Sequence, residues 1–220
     1  MQMTRRLLAE FVGSLLLAGV VIGSGILADG LSAGNDGVAL IGNTLATGAI
    51  LFVLITTLGP VSGAHFNPAV SLVMVLRREL SVREAGLYVV MQVAGCVIGA
   101  WLAHAMFELP IIQLATTDRS GAAKMLAESV ATFTLLFAIV GALRWRPDAT
   151  ATTVALAITA GYWWTASTSF ANPAITIARA LTDTFAGVRL SDAPGFIAAQ
   201  LVGAILAFST SSILFGKMKE

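Results

Sequence analysis

The residues of this chain that could do chemistry are few: two asparagines, two carboxylates and a histidine, all set in apolar sequence. Asn67-Pro68-Ala69 and Asn172-Pro173-Ala174 are two copies of one tripeptide. Asparagine is a strong helix cap and proline is favoured at the first helical position, so each copy reads as a helix start. Each follows a polar stretch, Val61-Ser62-Gly63-Ala64-His65-Phe66 or Thr165-Ala166-Ser167-Thr168-Ser169-Phe170-Ala171, and each begins where no full membrane span fits. A short helix starting at membrane depth is tolerated only where its backbone is buried in protein or lines a water-filled cavity. Two of them imply a pore. Each start carries about half a positive charge, so two facing starts oppose cations at the centre. The NH2 groups of Asn67 and Asn172 are donors for a passing water or hydroxyl oxygen, while their carbonyls tie back to the backbone. A water held in that way turns its hydrogens outward and breaks a proton wire.

Glu10 and Glu128 lie inside apolar spans, a placement that costs about 2.5 to 3.5 kcal/mol on insertion scales and demands a partner. Ion coupling is one use for such carboxylates. The other, favoured here by their matched positions, is to accept N–H bonds from the irregular stretches before each Asn-Pro-Ala, with Gln92 and Gln200 assisting. His65 is placed either to line a vestibule or to form part of a hydrogen-bonded wall. His104, near the end of the third apolar segment, reads as an interfacial residue.

These groups need a membrane scaffold to hold them. The chain has 220 residues, 57% of them hydrophobic and 11% charged, with mean hydropathy +0.86. Soluble domains carry about 25% charged residues, so the composition excludes an ordinary water-soluble fold. Six apolar segments are expected, at about Leu7 to Leu27, Val38 to Leu58, Leu87 to Phe107, Met125 to Leu143, Thr152 to Thr168 and Pro194 to Phe215. At about 20 residues per span they consume nearly the whole length, giving one all-α membrane domain over residues 1–220. The run after Arg5 and Arg6 has no clear small-residue cleavage site and reads as a retained first span. Trp163 and Trp164 read as an aromatic belt, with Trp101 and Trp145 as counterparts.

The halves, about 1–110 and 120–220, repeat one another. Leu7-Leu8-Ala9-Glu10-Phe11-Val12 recurs as Met125-Leu126-Ala127-Glu128-Ser129-Val130, and Met91-Gln92-Val93-Ala94-Gly95 as Ala199-Gln200-Leu201-Val202-Gly203. Three spans per half make this an inverted repeat, in which the two short helices enter from opposite sides and their starts meet near the midplane. Nine basic residues (Arg5, Arg6, Arg77, Arg78, Arg83, Arg144, Arg146, Lys217 and Lys219) share the face of both termini, against Arg119, Lys124 and Arg189 opposite. That bias places both termini in the cytoplasm.

Net charge of +1 with no basic tract gives no sign of nucleic-acid binding. No metal-ligand cluster, nucleophile with a base or phosphate loop stands out, so neither an enzyme nor a cofactor is expected. Cys96 cannot form an internal disulfide, since it is the one cysteine. An ion-coupled secondary transporter shares inverted repeats and broken helices. A non-conducting membrane adhesion protein is a further rival, and the short loops speak against it.

Six spans, the inverted repeat, Ser62-Gly63-Ala64-His65-Phe66-Asn67-Pro68-Ala69-Val70 and the second Asn172-Pro173-Ala174 together resemble the aquaporin, or major intrinsic protein, family over essentially the whole chain. The resemblance implies a bundle of six spans plus two re-entrant half-helices. It makes Asn67 and Asn172 the paired pore asparagines and Glu10 and Glu128 the loop supports. It also implies a homotetramer in the cell's inner (plasma) membrane that passes water and small neutral solutes.

In water-selective and glycerol-conducting members an arginine directly follows the second Asn-Pro-Ala, and here Ile175 stands in its place. Thr47 matches the aromatic position of the second span, Ala160 or Gly161 the fifth-span position and Ser169 the loop position. These groups predict a wider, less polar constriction. Arg179 follows Ile175 by one helical turn on the same face. It either pairs with Asp183, the favoured reading, or lends its charge to the filter from a displaced site. The spacing of Ala178-Arg179 and Thr182-Asp183-Thr184-Phe185 after the motif is similar to a bacterial subgroup linked to arsenic resistance. That likeness adds arsenous acid to glycerol-like polyols and water as expected solutes.

Overall fold

In the computed structural model, which describes residues 2–216, every regular element is helical. Lys217 and Lys219, two of the bases counted above, lie outside the described residues. The helices run α1 (Met3–Leu31), α2 (Asp36–Ser62), the short α3 (Pro68–Leu76), α4 (Val82–Met106), α5 (Ala122–Trp145), α6 (Thr150–Trp164), the short α7 (Pro173–Arg179) and α8 (Ala193–Phe215). Five of them are long and apolar enough to cross a membrane: α1, α2, α4, α5 and α8. The expected fifth segment forms α6, which has 15 residues and at 1.5 Å per residue reaches about 22 Å. It stops at Trp164 and not Thr168, because Thr165 turns to extended backbone (φ −109°, ψ 135°) and returns its hydroxyl to the Gly161 carbonyl at 2.7 Å. A 3-10 turn, Pro147–Ala149, leads into α6 and continues its path toward the α5 end.

Packing repeats between the halves. α1 lies against α4 and α2, while α5 lies against α8 and α6, and α2 meets α6 across the two halves. The closest crossings are built on glycine. A Cβ at Gly95 of α4 would overlap the Phe11 carbonyl of α1, and one at Gly203 of α8 would overlap the Ser129 carbonyl of α5. Phe11 and Ser129 each follow the buried glutamate of their half, so this contact is duplicated by the repeat. Small residues permit such backbone approach where lipid supplies no hydrophobic force between helices. Leu8, Ile41, Val90, Leu126 and Ile213 instead turn outward, as a bilayer-facing surface requires.

α3 and α7 are the half-helices. Asn67 caps α3 by accepting the Ala69 N–H at 2.9 Å, and Asn172 caps α7 by accepting those of Ala174 at 3.0 Å and Ile175 at 3.3 Å. Pro68 and Pro173 occupy the first helical position, where the missing N–H costs nothing. Replacing Gly203 with Leu should force α8 away from α5 at a cost of about 1–3 kcal/mol or more. Detergent-extracted protein should then give a lower thermal midpoint and a broadened size-exclusion peak. An unchanged midpoint would show that the crossing is not tight.

Candidate functional site

The loops preceding α3 and α7 enter the bundle from opposite faces and touch at its centre. Their backbones are unusual. Ala64 and Phe66 in one loop, and Thr168, Ser169 and Ala171 in the other, have positive φ between 48° and 64°. Such conformations cost on the order of 1–3 kcal/mol each in non-glycine residues and persist only when their surroundings hold them. Glu10 and Glu128, both 0% exposed, do the holding. Glu10 Oε1 accepts from the Ser62 hydroxyl at 2.6 Å and the His65 N–H at 3.0 Å. Its Oε2 accepts from the Phe66 N–H and from Gln92 Nε2, both at 2.8 Å. Glu128 accepts the N–H groups of Phe170 and Ala171 at 2.9 Å each, and Gln200 Nε2 at 2.6 Å. Each glutamine also donates to a hydroxyl on its half-helix, Gln92 to Ser71 at 3.1 Å and Gln200 to Thr176 at 2.8 Å. An ionised carboxylate is acceptor-only, and both oxygens of each are engaged by donors.

At the centre the asparagines reach across. Asn67 Nδ2 donates to the Ala171 carbonyl at 2.7 Å, and Asn172 Nδ2 donates to the Phe66 carbonyl at 2.8 Å. Each amide thus uses its oxygen on its own half-helix and one hydrogen on the opposite loop, leaving one hydrogen for the cavity that both asparagines line. This reciprocal bond is not visible in either motif alone.

The cavity has a volume of about 230 Å³ and runs past both asparagines. Toward the face of the first residues its wall includes His65, Met74, Ile139, Leu143 and Glu79. His65 Nδ1 lies 3.0 Å from Ser71 Oγ, and the ring stands edge-on to Tyr88, so it is both cavity lining and hydrogen-bonded wall. Toward the opposite mouth the wall includes Thr47, Tyr162, Ser169, Phe170, Ile175 and Arg179. His104 is away from the cavity and fully buried, with Nδ1 2.8 Å from the Ile111 carbonyl and Nε2 2.8 Å from Thr182 Oγ1, so it ties a connector and does not sit at an interface.

Ala160 and Gly161, expected at the constriction, do not line it. Ala160 is exposed on the outside of α6 and Gly161 lies behind the wall. A Cβ on Gly161 would meet Ser169 Oγ, so this glycine makes room for the serine. The α6 contribution to the wall comes from Ile158 and Tyr162, and Tyr162 OH lies 3.2 Å from Thr47 Oγ1. The mouth therefore carries an aromatic ring and a hydroxyl pair where only small groups were expected. An uncertain loop length produced the one-residue slip, which on a helix turns a side chain by about 100°.

The Arg179–Asp183 pair does not form. Asp183 accepts the N–H and hydroxyl of Thr116 at 2.9 and 2.8 Å. These donors hold its carboxyl below the usual carboxylate range. The chain leaves helical geometry after Arg179, so the four-residue spacing no longer puts both side chains on one face. Arg179 turns inward, donates Nε to the Ala186 carbonyl and stacks on Phe170 with Cζ 3.4 Å from the ring centroid.

An inverted repeat with two half-helices capped at the centre, and a cavity running past both caps, defines a membrane pore. The family model described as "Major intrinsic protein" matches residues 1–140 and 115–220, and the chain belongs to that family. Its members are channels, not enzymes. The chain is 52% identical over 94% of its length, and 88% of the other, to a protein of Rhizobium meliloti (strain 1021) named aquaglyceroporin AqpS. It is 35% identical over 63% of its length, and 51% of the other, to a rice protein named probable aquaporin PIP2-8. Among solved structures, the aquaglyceroporin from Plasmodium falciparum superposes with a TM-score of 0.80 over 98% of both chains at 19% identity, a likeness of fold.

Replacing Glu128 with Ala should strand the Phe170 and Ala171 N–H groups at about 1–3 kcal/mol apiece and lower the folded yield and thermal midpoint. Glu128→Gln, which keeps one acceptor oxygen, should fall between. Normal yield and midpoint with lost transport would instead assign Glu128 to ion coupling.

Proposed function

We propose that the chain is a passive channel for small neutral solutes, namely water, glycerol-like polyols and arsenous acid, with protons and ions excluded at Asn67 and Asn172. The observation that carries this reading is the reciprocal asparagine bond at the cavity centre. With one amide hydrogen of each asparagine fixed on the opposite loop, the other faces the cavity as a donor beside a helix N-terminus. A solute oxygen there is held by donors alone, so at that point it has no acceptor to which it can pass a proton along the file. Glycerol is included because the 52% identical relative is named an aquaglyceroporin. Arsenous acid is included as a neutral three-hydroxyl solute similar in shape to glycerol.

Ile175 replaces a charged neighbour of the motif with an apolar side chain, which favours solutes that present carbon as well as hydroxyl. Thr47, Ser169 and Tyr162 supply the hydroxyl partners on the other walls, and Arg179 is the filter charge, displaced one turn toward the mouth. Ala160 and Gly161 have no part in it. Glu10 and Glu128 act as loop supports, and His65 lines the vestibule on the other side. A second reading, conduction mainly of water, draws on the Tyr162 ring and the Arg179 guanidinium, which both crowd the mouth. The same proposal places the chain as a homotetramer in the plasma membrane, termini in the cytoplasm, from the basic-residue bias and the family resemblance.

Stopped-flow light scattering on proteoliposomes tests the channel. Vesicles shrunk with glycerol or arsenous acid should reswell faster than empty ones, without collapse of an imposed pH gradient. Flux that saturates or follows a sodium or proton gradient would support a transporter instead. Reswelling in neither solute with fast water shrinkage would select the second reading. Ile175→Arg should lower glycerol and arsenous acid flux severalfold more than water flux, and equal loss for all three would remove Ile175 from the filter.

A further inference from the structure

The mouth-side half of the cavity contains a buried charge that no acidic side chain answers. Arg179 is 2% exposed, yet none of the ion pairs among the described residues involves it. Its compensation comes from neutral dipoles. Nε donates to the Ala186 carbonyl, the Phe170 ring lies under Cζ, and the residue closes the last turn of α7, at the end of a helix that favours cations. The nearby acid, Glu128, is spent on the Phe170 and Ala171 N–H groups. A second guanidinium, that of Arg119, also lies over the Phe170 ring, with Cζ 5.4 Å from the ring centroid and its own donors on the carbonyls of Gly187 and Phe185. Neutral dipoles lower the cost of burying a charge but do not cancel its field at a distance.

Among the described residues Nε is the one Arg179 nitrogen with a protein acceptor, and neither Nη is both sealed and unpaired. The forked Nη pair is therefore what Arg179 shows to the cavity it lines. The hydroxyls of Ser169, Thr47 and Tyr162 line the same end. From this arrangement we infer that the mouth holds a binding site for a small monovalent oxyanion, such as a short carboxylate or sulfonate. A planar guanidinium matches two oxygens of one such group, and the hydroxyls supply donors to the rest. Single charge is favoured because, among the described residues, Arg179 is the one arginine or lysine lining the wall, and a second negative charge would have no direct partner there. Phe170 is a positioning residue, since it fixes the plane of the fork. Rest on the channel reading enters in one consequence only: a site in the solute path makes the bound anion a blocker of neutral flux.

The probe is methanesulfonate, which stays charged at any working pH and so cannot slip across as a neutral acid. In proteoliposomes at constant ionic strength, methanesulfonate replacing gluconate should slow glycerol flux saturably. Arg179→Gln should raise the half-blocking concentration by about tenfold or more, the loss expected when one partner of a charge-assisted pair is removed. Arg179→Lys, which keeps the charge and loses the fork, should shift it less, and Phe170→Leu should shift it with the arginine still present. In detergent, methanesulfonate should raise the thermal midpoint of the native chain and not that of Arg179→Gln, a readout independent of flux. Equal responses of native protein and Arg179→Gln, or no response of the native protein in either assay, overturn the site. A native chain that speeds neither glycerol nor water flux but gains midpoint through Arg179 would overturn the channel reading and leave the site standing.

Discussion

Everything in this molecule hangs on a single constraint, that a peptide N–H at membrane depth needs an acceptor. Two loops enter the bundle without helical hydrogen bonding, and in hydrocarbon each orphaned group costs several kcal/mol. Glu10 and Glu128 answer it by turning both carboxylate oxygens toward successive N–H groups. Burial of a charge is itself costly, but here every lone-pair direction in use meets a donor, including Gln92 or Gln200. The same bonds hold the backbone at positive φ, aim the loop carbonyls of Phe66 and Ala171 across the centre, and so give the two asparagine amides their acceptors. The carboxylates, the strained backbone and the asparagine bridge are one unit, built twice.

The two halves depart from twofold likeness along the cavity wall. His65 and Phe170 occupy the same place relative to their motifs, two residues before the asparagine. One presents an imidazole bonded to Ser71, the other a ring that carries a guanidinium. Likewise Met74 and Arg179 each stand seven residues after their asparagine, both on the cavity wall. One vestibule thus presents an imidazole, a thioether and the Glu79 carboxylate, the other a guanidinium and hydroxyls. A passive pore has no preferred direction, but solutes approaching its two ends meet different chemistry.

Much of this was legible in the residues. Two Asn-Pro-Ala copies within matched halves announce two capped half-helices, because proline and asparagine have strong local preferences that context seldom overrides. That the glutamates would meet loop N–H groups followed from their repeat positions, since a carboxylate in a span must have partners and the loops must have acceptors. Less legible was the length of the fifth span, where Thr165 ends α6 four residues early by a local hydroxyl bond in an otherwise apolar-rich run. The cavity wall on α6 was misplaced for a related reason. Distance counted along a loop does not carry helical phase, so Ala160 and Gly161 were named where Ile158 and Tyr162 stand.

By itself the sequence determined a membrane bundle with a central pair of asparagines, for these follow from hydropathy, capping and repetition, all local or nearly so. Tertiary structure alone decided where Arg179 points. Spacing of four residues suggested Asp183 as partner, but the helix ends between them, Thr116 from a distant connector takes the carboxylate, and Phe170 with Ala186 takes the guanidinium. Competition among partners remote in the chain settles the position of a long charged side chain, and that competition exists only once the loops are folded together.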